Sequence, residues 1–372
     1  MTSPNLPGRL GNADLTLATD PRSDPRMIAA MAPLGLAERT PPQPVTIDTP
    51  LDQLHEFNMM AEAGFDLAFA MLSGDLAAVP GVERSVEVIT GIDGNDITLY
   101  LHRPEGVSGP LPGILHLHGG GMTILEASGA GFQRWRDQLA VSGLVVCGVE
   151  FRNASGKLGP HPFPAGLNDC SSALRWLADQ RVRLGISKIV ISGESGGGNL
   201  TLATTLKANR DGDLDLIAGV YAQCPYISGS YGAPLPELTS LFENDGYFLS
   251  CEQMDVLAML YDPTRESASN PLAWPYHATP EDLAGLPPHI ISVNELDPLR
   301  DEGLAYYRKL AAAGVPVAAR TVNGTCHAGD CLLEVAMPEA YHATLRDIKG
   351  FADSLCAVHT GSKLAGTTDA AV

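Results

Sequence analysis

At 372 residues the chain is long enough for one large domain or for a core with a smaller appended element, and the second organisation is expected here. Its formal charge of −19 repels phosphate backbones and anionic membrane surfaces, which excludes nucleic acid as a partner and favours neutral small molecules. No apolar run approaches the roughly 18 consecutive residues of a membrane-spanning helix, so a soluble protein without a membrane partner is expected.

The opening residues are rich in Pro, Gly and Asp, with one short apolar stretch, Met27 to Leu36, suited to a docked helix. The start lacks the charged residues, apolar run and small-residue cleavage site of a secretory signal, so a cytoplasmic location is expected. Seven scattered cysteines, an odd number, fit free thiols better than a disulfide framework. From Leu51 to Leu76, apolar positions alternate with acidic ones as in an amphipathic helix, interrupted near Gly64.

From Val86 the pattern changes. Val86 to Thr90 and Ile97 to His102 read as a hairpin turning at Asp93-Gly94-Asn95-Asp96. Further strands are predicted at Gly113 to Leu117, Val145 to Phe151, Lys188 to Gly193, Ile217 to Ala222, His289 to Asn294 and Val315 to Val322. Helical stretches separate them: Phe132 to Val141, Leu167 to Gln180, Leu200 to Ala208 and Leu304 to Ala313, with Ala340 to Cys356 last. Such alternation predicts an α/β fold: eight strands, mostly parallel, with helices on both faces. The insertion from Tyr226 to Leu286 is far longer than an ordinary connection, and its aromatic content suits a cap packed with the N-terminal helices. The expected segments are 1–84 contributing to the cap, 85–225 and 287–358 forming the core, 226–286 as the cap insertion and 359–372 as a tail.

Chemistry concentrates at four loops. Lys188 to Gly193 runs as an apolar strand into Gly193-Glu194-Ser195-Gly196-Gly197 and then a helix-forming run, the pattern of a serine at a sharp strand-to-helix turn where a Cβ on the flanking residues would clash. That turn aims the Gly196 amide and the positive helix end at a reacting oxygen. Upstream, His118-Gly119-Gly120-Gly121 ends a strand; the amides of Gly119 and Gly120 can approach an oxyanion unobstructed, and no Lys-Ser or Lys-Thr follows to suggest phosphate binding. His118 is expected to shape this loop, and His116 to be a satisfied core histidine. His327, alone among ten histidines, lies just beyond the last predicted strand, in a turn-rich loop, and is the expected base. Asp297, just past the preceding strand and before Pro298, is the expected orienting acid; Glu295 is its rival, and Asp301 and Glu302 read as a solvated first helical turn. Cys326 and Cys331 flank His327, but the spacing matches no paired zinc pattern, so neither metal nor cofactor is expected.

With these strings in view the chain resembles the hormonesensitive-lipase-like (bacterial family IV) carboxylesterases of the α/β-hydrolase fold. The likeness covers roughly Ser85 to Phe351 and is carried by Gly119 to Leu125, Phe151 to Ala154, His161 to Pro164, Gly193 to Leu200, Glu243 to Phe248, Trp274 to Tyr276 and Asn294 to Gly303. It implies a capped α/β-hydrolase, cofactor-free ester hydrolysis by Ser195, His327 and Asp297, and oxyanion amides from Gly119, Gly120 and Gly196. Glu194 stands where the family more often has Asp, Gly196 where Ala is commoner, and Met122 where an aromatic residue often lines the pocket. A small-molecule ester, bulky or lactonic, is the expected partner, with a homodimer as the assembly to test. The rivals are an amidase or peptidase of the same fold, which would cleave anilides, and a non-catalytic receptor, which an organophosphate would not label.

Overall fold

The computed structural model describes residues 6–74 and 76–356, so the tail expected over 359–372 lies outside the described residues. The strands are Val82–Thr90 (β1), Asp96–Pro104 (β2), Leu111–Leu117 (β3), Val145–Glu150 (β4), Ile186–Glu194 (β5), Gly219–Gln223 (β6), His289–Asn294 (β7) and Val317–Val322 (β8). They form one sheet in the order β1-β2-β4-β3-β5-β6-β7-β8. The hairpin β1-β2 and the pair β2-β4 are antiparallel; every later pairing is parallel.

Successive side chains on a strand point to opposite faces, so a parallel sheet of this kind must be covered twice. Leu115, Cys147, Ile191 and Ala222 share one core with Leu174, Leu200 and Leu310 from helices Ala165–Asp179, Gly196–Asp211 and Arg300–Ala312. Their sequence neighbours Ile114, Val146, Val190 and Tyr221 share the other, with Trp135 and Leu139 of helix Ala130–Val141 and Leu345 and Ile348 of helix Pro338–Cys356. Each fully buried leucine contributes about 1.5–3 kcal/mol of transfer free energy. Because the parallel strands share a direction, the loops after β3, β5, β7 and β8 open at one edge.

Two expectations need correction. The helix Leu51–Ser73 runs unbroken through Gly64. Glycine there costs about 1 kcal/mol of helix propensity, but Ala61, Glu62, Ala63, Leu67 and Ala68 around it are good helix formers. The stretch 226–286 also divides its packing. Tyr247 and Phe248 join Met27, Met31 and Phe65 of the N-terminal region, whereas Tyr226, Tyr231, Tyr261 and Trp274 belong to the main core. There Tyr226 and Tyr231 stack at 4.6 Å, and Trp274 meets Tyr226 and Tyr261 edge-on. The N-terminal region is further tied down by Arg22, which bridges Asp20 and Glu243, and Glu243 in turn takes a two-pronged contact from Arg300 at 2.9 and 2.8 Å.

Candidate active site

Ser195 sits between β5 and helix Gly196–Asp211 with φ 58° and ψ −119°, a strained region for a residue with a side chain. The surroundings hold it there: its amide donates to the Gln223 carbonyl (2.9 Å), and its own carbonyl accepts from the amides of Asn199 (3.0 Å) and Tyr226 (3.1 Å). The flanking glycines are obligatory by contact. A Cβ on Gly193 would lie 2.5 Å from the carbonyl oxygens of Leu117 and Gly197, and one on Gly197 only 1.9 Å from that of Leu117.

Beyond β7 and β8 two loops are bound to one another. The Leu296 amide donates to the Thr325 carbonyl at 3.0 Å, and the Gly324 amide to Glu295 Oε2 at 2.8 Å. Asn294, buried at the end of β7, donates to Thr325 Oγ1 (2.7 Å) and Asp330 Oδ1 (2.9 Å). This places His327 Nδ1 2.8 Å from Asp297 Oδ2, both side chains buried. Asp297 Oδ1 accepts from the Leu299 amide at 2.9 Å, which fixes the carboxylate's orientation. Glu295, the rival acid, uses its carboxylate on the Gly324 amide instead. Asn294 and Asp330 were missed by sequence reasoning; the signal was a polar residue closing an otherwise apolar strand.

Of the glycine loop after β3, Gly119, Gly120 and Gly121 all border the same cavity as Ser195 and His327. Gly119 nonetheless fails as an oxyanion donor: its amide is engaged by Glu194 Oε1 at 2.8 Å. Among the described residues the amides of Gly120 and Gly121 have no protein acceptor, and the Gly121 amide nitrogen lies only 2.6 Å from where a Cβ of Gly196 would stand. The free amides facing the serine turn are therefore those of Gly120, Gly121 and Gly196. Gly121, the third residue of the glycine run, was legible as a glycine but not as a donor. His118 does shape the loop: it stacks on Phe151 at 4.3 Å, its Nδ1 lies 2.7 Å from the Gly119 carbonyl, and burial lowers its pKa to about 3. His116 is buried as expected but not satisfied, since neither ring nitrogen makes a hydrogen bond among the described residues.

Glu302 is a second correction. It is 1% exposed rather than solvated, and burial raises its pKa to about 8. Its carboxylate accepts from the Ile227 amide (2.6 Å) and the Tyr231 hydroxyl (3.0 Å), holding the loop whose Tyr226 amide reaches the Ser195 carbonyl. Asp301, half-buried, accepts from Thr239 and the Ser240 amide. Cys224, not the two cysteines beside His327 in sequence, completes a set of possible ligand atoms with Asp297 and His327 within 4.8 Å. Burial pushes the Cys224 thiol well up, which makes it a poor ligand, and a cation there would have to displace the proton between His327 and Asp297.

The cavity over Ser195 has a volume of about 350 Å³, within the range of small-molecule sites. Its walls come from helix Leu51–Ser73 (Phe65, Phe69), from Phe132 and Trp135, and from Phe248 and Leu257. A mostly parallel sheet with a serine on a strained turn after its central strand, and a buried histidine-carboxylate pair beyond its last two, defines an α/β-hydrolase.

Residues 114–329 match the family described as alpha/beta hydrolase fold, and the chain belongs to it. It is similar to the carboxylesterase NlhH of Mycobacterium tuberculosis, with 31% identity over 272 residues, 71% of this chain and 81% of that protein. An arylesterase of Saccharolobus solfataricus is 34% identical over 219 residues, 58% of this chain and 67% of the relative. Among solved structures, brefeldin A esterase, described as a bacterial homologue of human hormone-sensitive lipase, superposes with a TM-score of 0.90 at 47% identity, covering 94% of this chain and 99% of that one. Esterase Est22 gives 0.82 at 37%, covering 91% and 99%. The chain is a carboxylic ester hydrolase of this hormone-sensitive-lipase-like group.

Proposed function

We propose that hydrolysis proceeds through an acyl-enzyme on Ser195, with His327 as general base and Asp297 as the group that orients it. The observation that carries this reading is the buried 2.8 Å contact between His327 Nδ1 and Asp297 Oδ2, beside a serine held on a strained turn and facing the same cavity. Nδ1–H donates to Asp297, which leaves Nε2 as the basic nitrogen. It takes the Ser195 proton as Oγ attacks the ester carbonyl and returns it to the departing alkoxide. Water then attacks the acyl-serine by the same steps in reverse. The amides of Gly120, Gly121 and Gly196 stabilise the tetrahedral oxyanion.

Helix Leu51–Ser73 and part of 226–286 act as a cap that sets substrate shape. The aromatic and aliphatic walls of the cavity favour neutral esters bulky on at least one side, lactones included. Arg134, the cation on its rim, is neutralised by Glu334, with Nη2 to Oε1 at 2.9 Å, so a charged acid portion gains little there.

The test is covalent trapping with a fluorophosphonate probe, followed by turnover across esters varied in acyl length and alcohol bulk, with matched anilides and macrocyclic lactones. Labelling at Ser195, lost in Ser195→Ala together with turnover to below about 1% of the parent, is the expected result. Labelling elsewhere, or an active Ser195→Ala, overturns the assignment.

A further inference from the structure

The residue before the nucleophile has a contact that the reaction scheme leaves unused. Glu194 closes β5, and its Oε1 accepts the Gly119 amide at 2.8 Å. It therefore joins the strand that presents Ser195 to the loop that presents Gly120 and Gly121. Its other oxygen, Oε2, is buried, makes no hydrogen bond among the described residues, and faces His116 Nε2 on β3 at 3.5 Å. His116 and Ser192 lie in register on adjacent strands, as do Glu194 and Gln223. His116, Ser192 and Gln223 each also leave a buried polar atom without a partner among the described residues. A patch of that kind directly behind a nucleophile is an electrostatic setting more than a packing one, because unpaired buried polar groups cost free energy that an apolar core would avoid.

We propose that Glu194 is a positioning residue that straps the oxyanion loop to the serine turn through the Gly119 amide, and that it works as the uncharged acid with its proton turned toward His116. The proposal rests on Ser195 being the nucleophile. The distance between the attacking oxygen and the amides of Gly120 and Gly121 is then set by the length of one side chain. Oxyanion donors act through fixed aim, so a loosened strap lowers kcat and leaves substrate binding nearly alone.

The charge state follows from what surrounds the carboxyl. Burial raises the Glu194 pKa to about 8. The groups facing it are His116 on β3, Arg136 on helix Ala130–Val141, Cys224 after β6 and Cys331 after His327. Burial keeps His116 neutral and both thiols protonated, while Arg136 offers only a distant attraction. Below about pH 8 the strap is neutral. Above it a buried negative charge stands behind the amides that must hold a second one, so kcat falls on the alkaline side.

Steady-state kinetics of Glu194→Gln and Glu194→Ala from pH 6 to 10, with phosphonate trapping of Ser195 in each, test this. Gln keeps a carbonyl of the same reach and cannot ionise. Its kcat should fall several-fold at neutral pH and then stay level through the alkaline range where the parent declines. Ala cuts the strap, and its kcat should drop about 10- to 100-fold with KM within about threefold. Glu194→Asp, one methylene short, should fall between Gln and Ala. Should Glu194→Gln keep the parent's alkaline decline, or Glu194→Ala lose in KM rather than kcat, the strap is wrong while Ser195 stands. Trapping that fails to map to Ser195 in the parent would instead remove the reading beneath it.

Discussion

Helix Gly196–Asp211, which starts at Ser195, and helix Leu51–Ser73, which lines the cavity with Phe65 and Phe69, are built on different principles. In the first, twelve of sixteen residues are buried; in the second, four of 23, namely Leu54, Asn58, Glu62 and Leu72. The first is fixed by close packing between sheet and core. The second docks by a narrow stripe and by polar contacts: Glu62 accepts the amides of Leu125 (2.7 Å) and Lys157 (2.8 Å), and His55 Nδ1 lies 2.8 Å from Ser155 Oγ. In the proposed scheme, reaction geometry stands on the densely buried helix and substrate shape on the sparsely buried one, the kind of element that local unfolding reaches more readily. The proposed cap is therefore expected to tolerate changes in its cavity walls without disturbing the serine turn.

The sharpest test of that division is a change that alters chemistry and nothing else. Asp297→Asn keeps the shape of the side chain but favours the wrong imidazole tautomer, and kcat should fall by about 10³–10⁴. Glu295→Gln retains an oxygen for the Gly324 amide and should cost less than about tenfold. Steady-state kinetics on one ester at neutral pH decides between them. A crippled Glu295→Gln beside a near-normal Asp297→Asn would transfer the orienting role.

The same division governs what could be read from the sequence. Short β-rich runs bounded by turn residues located all eight strands within a few residues, because strand-forming side chains and the turns that end a strand are both local features of the sequence. The sharp turn at Ser195 and the contact of His327 with Asp297 were legible because the direction of parallel strands dictates which loops share an edge. Gly119 was misassigned because an amide's availability depends on a partner 75 residues away, Glu194, and no local pattern records that contact. Glu302 was misjudged for a related reason. An acidic residue in a first helical turn is usually solvated, but here the loop from Tyr226 to Tyr231 lies over it. The unbroken helix through Gly64 shows the reverse, with the propensities of neighbouring residues outweighing one glycine.

Next in size comes the docking of the cap. Glu62→Ala leaves two amides without acceptors, which should cost about 1–3 kcal/mol, read as a lower denaturation midpoint. Because Leu125 borders the cavity, KM should rise more than kcat falls. A loss confined to kcat would mean that the cap helix also aligns the reacting groups, and the two regions would no longer be separable.

The smallest effect belongs to the outer face of the cap helix. Met60, Leu67 and Met71 stand there seven and four residues apart, 68%, 63% and 56% exposed, and none of the three borders the cavity. Met60→Ser and Leu67→Ser remove apolar surface that is already in water. Only a small helix-propensity cost remains, about 0.5 kcal/mol each. Turnover of a short soluble ester should stay within about twofold of the parent, as for other exposed substitutions. Measuring the pair of variants on short and long acyl chains, the latter above and below their solubility limit, carries the decision. Equal rates throughout leave the outer face inert and the comparison intact. A drop of tenfold or more limited to the dispersed long-chain ester would assign that face to substrate capture, and the weakly buried helix would then owe its exposed side to function as much as its inner one.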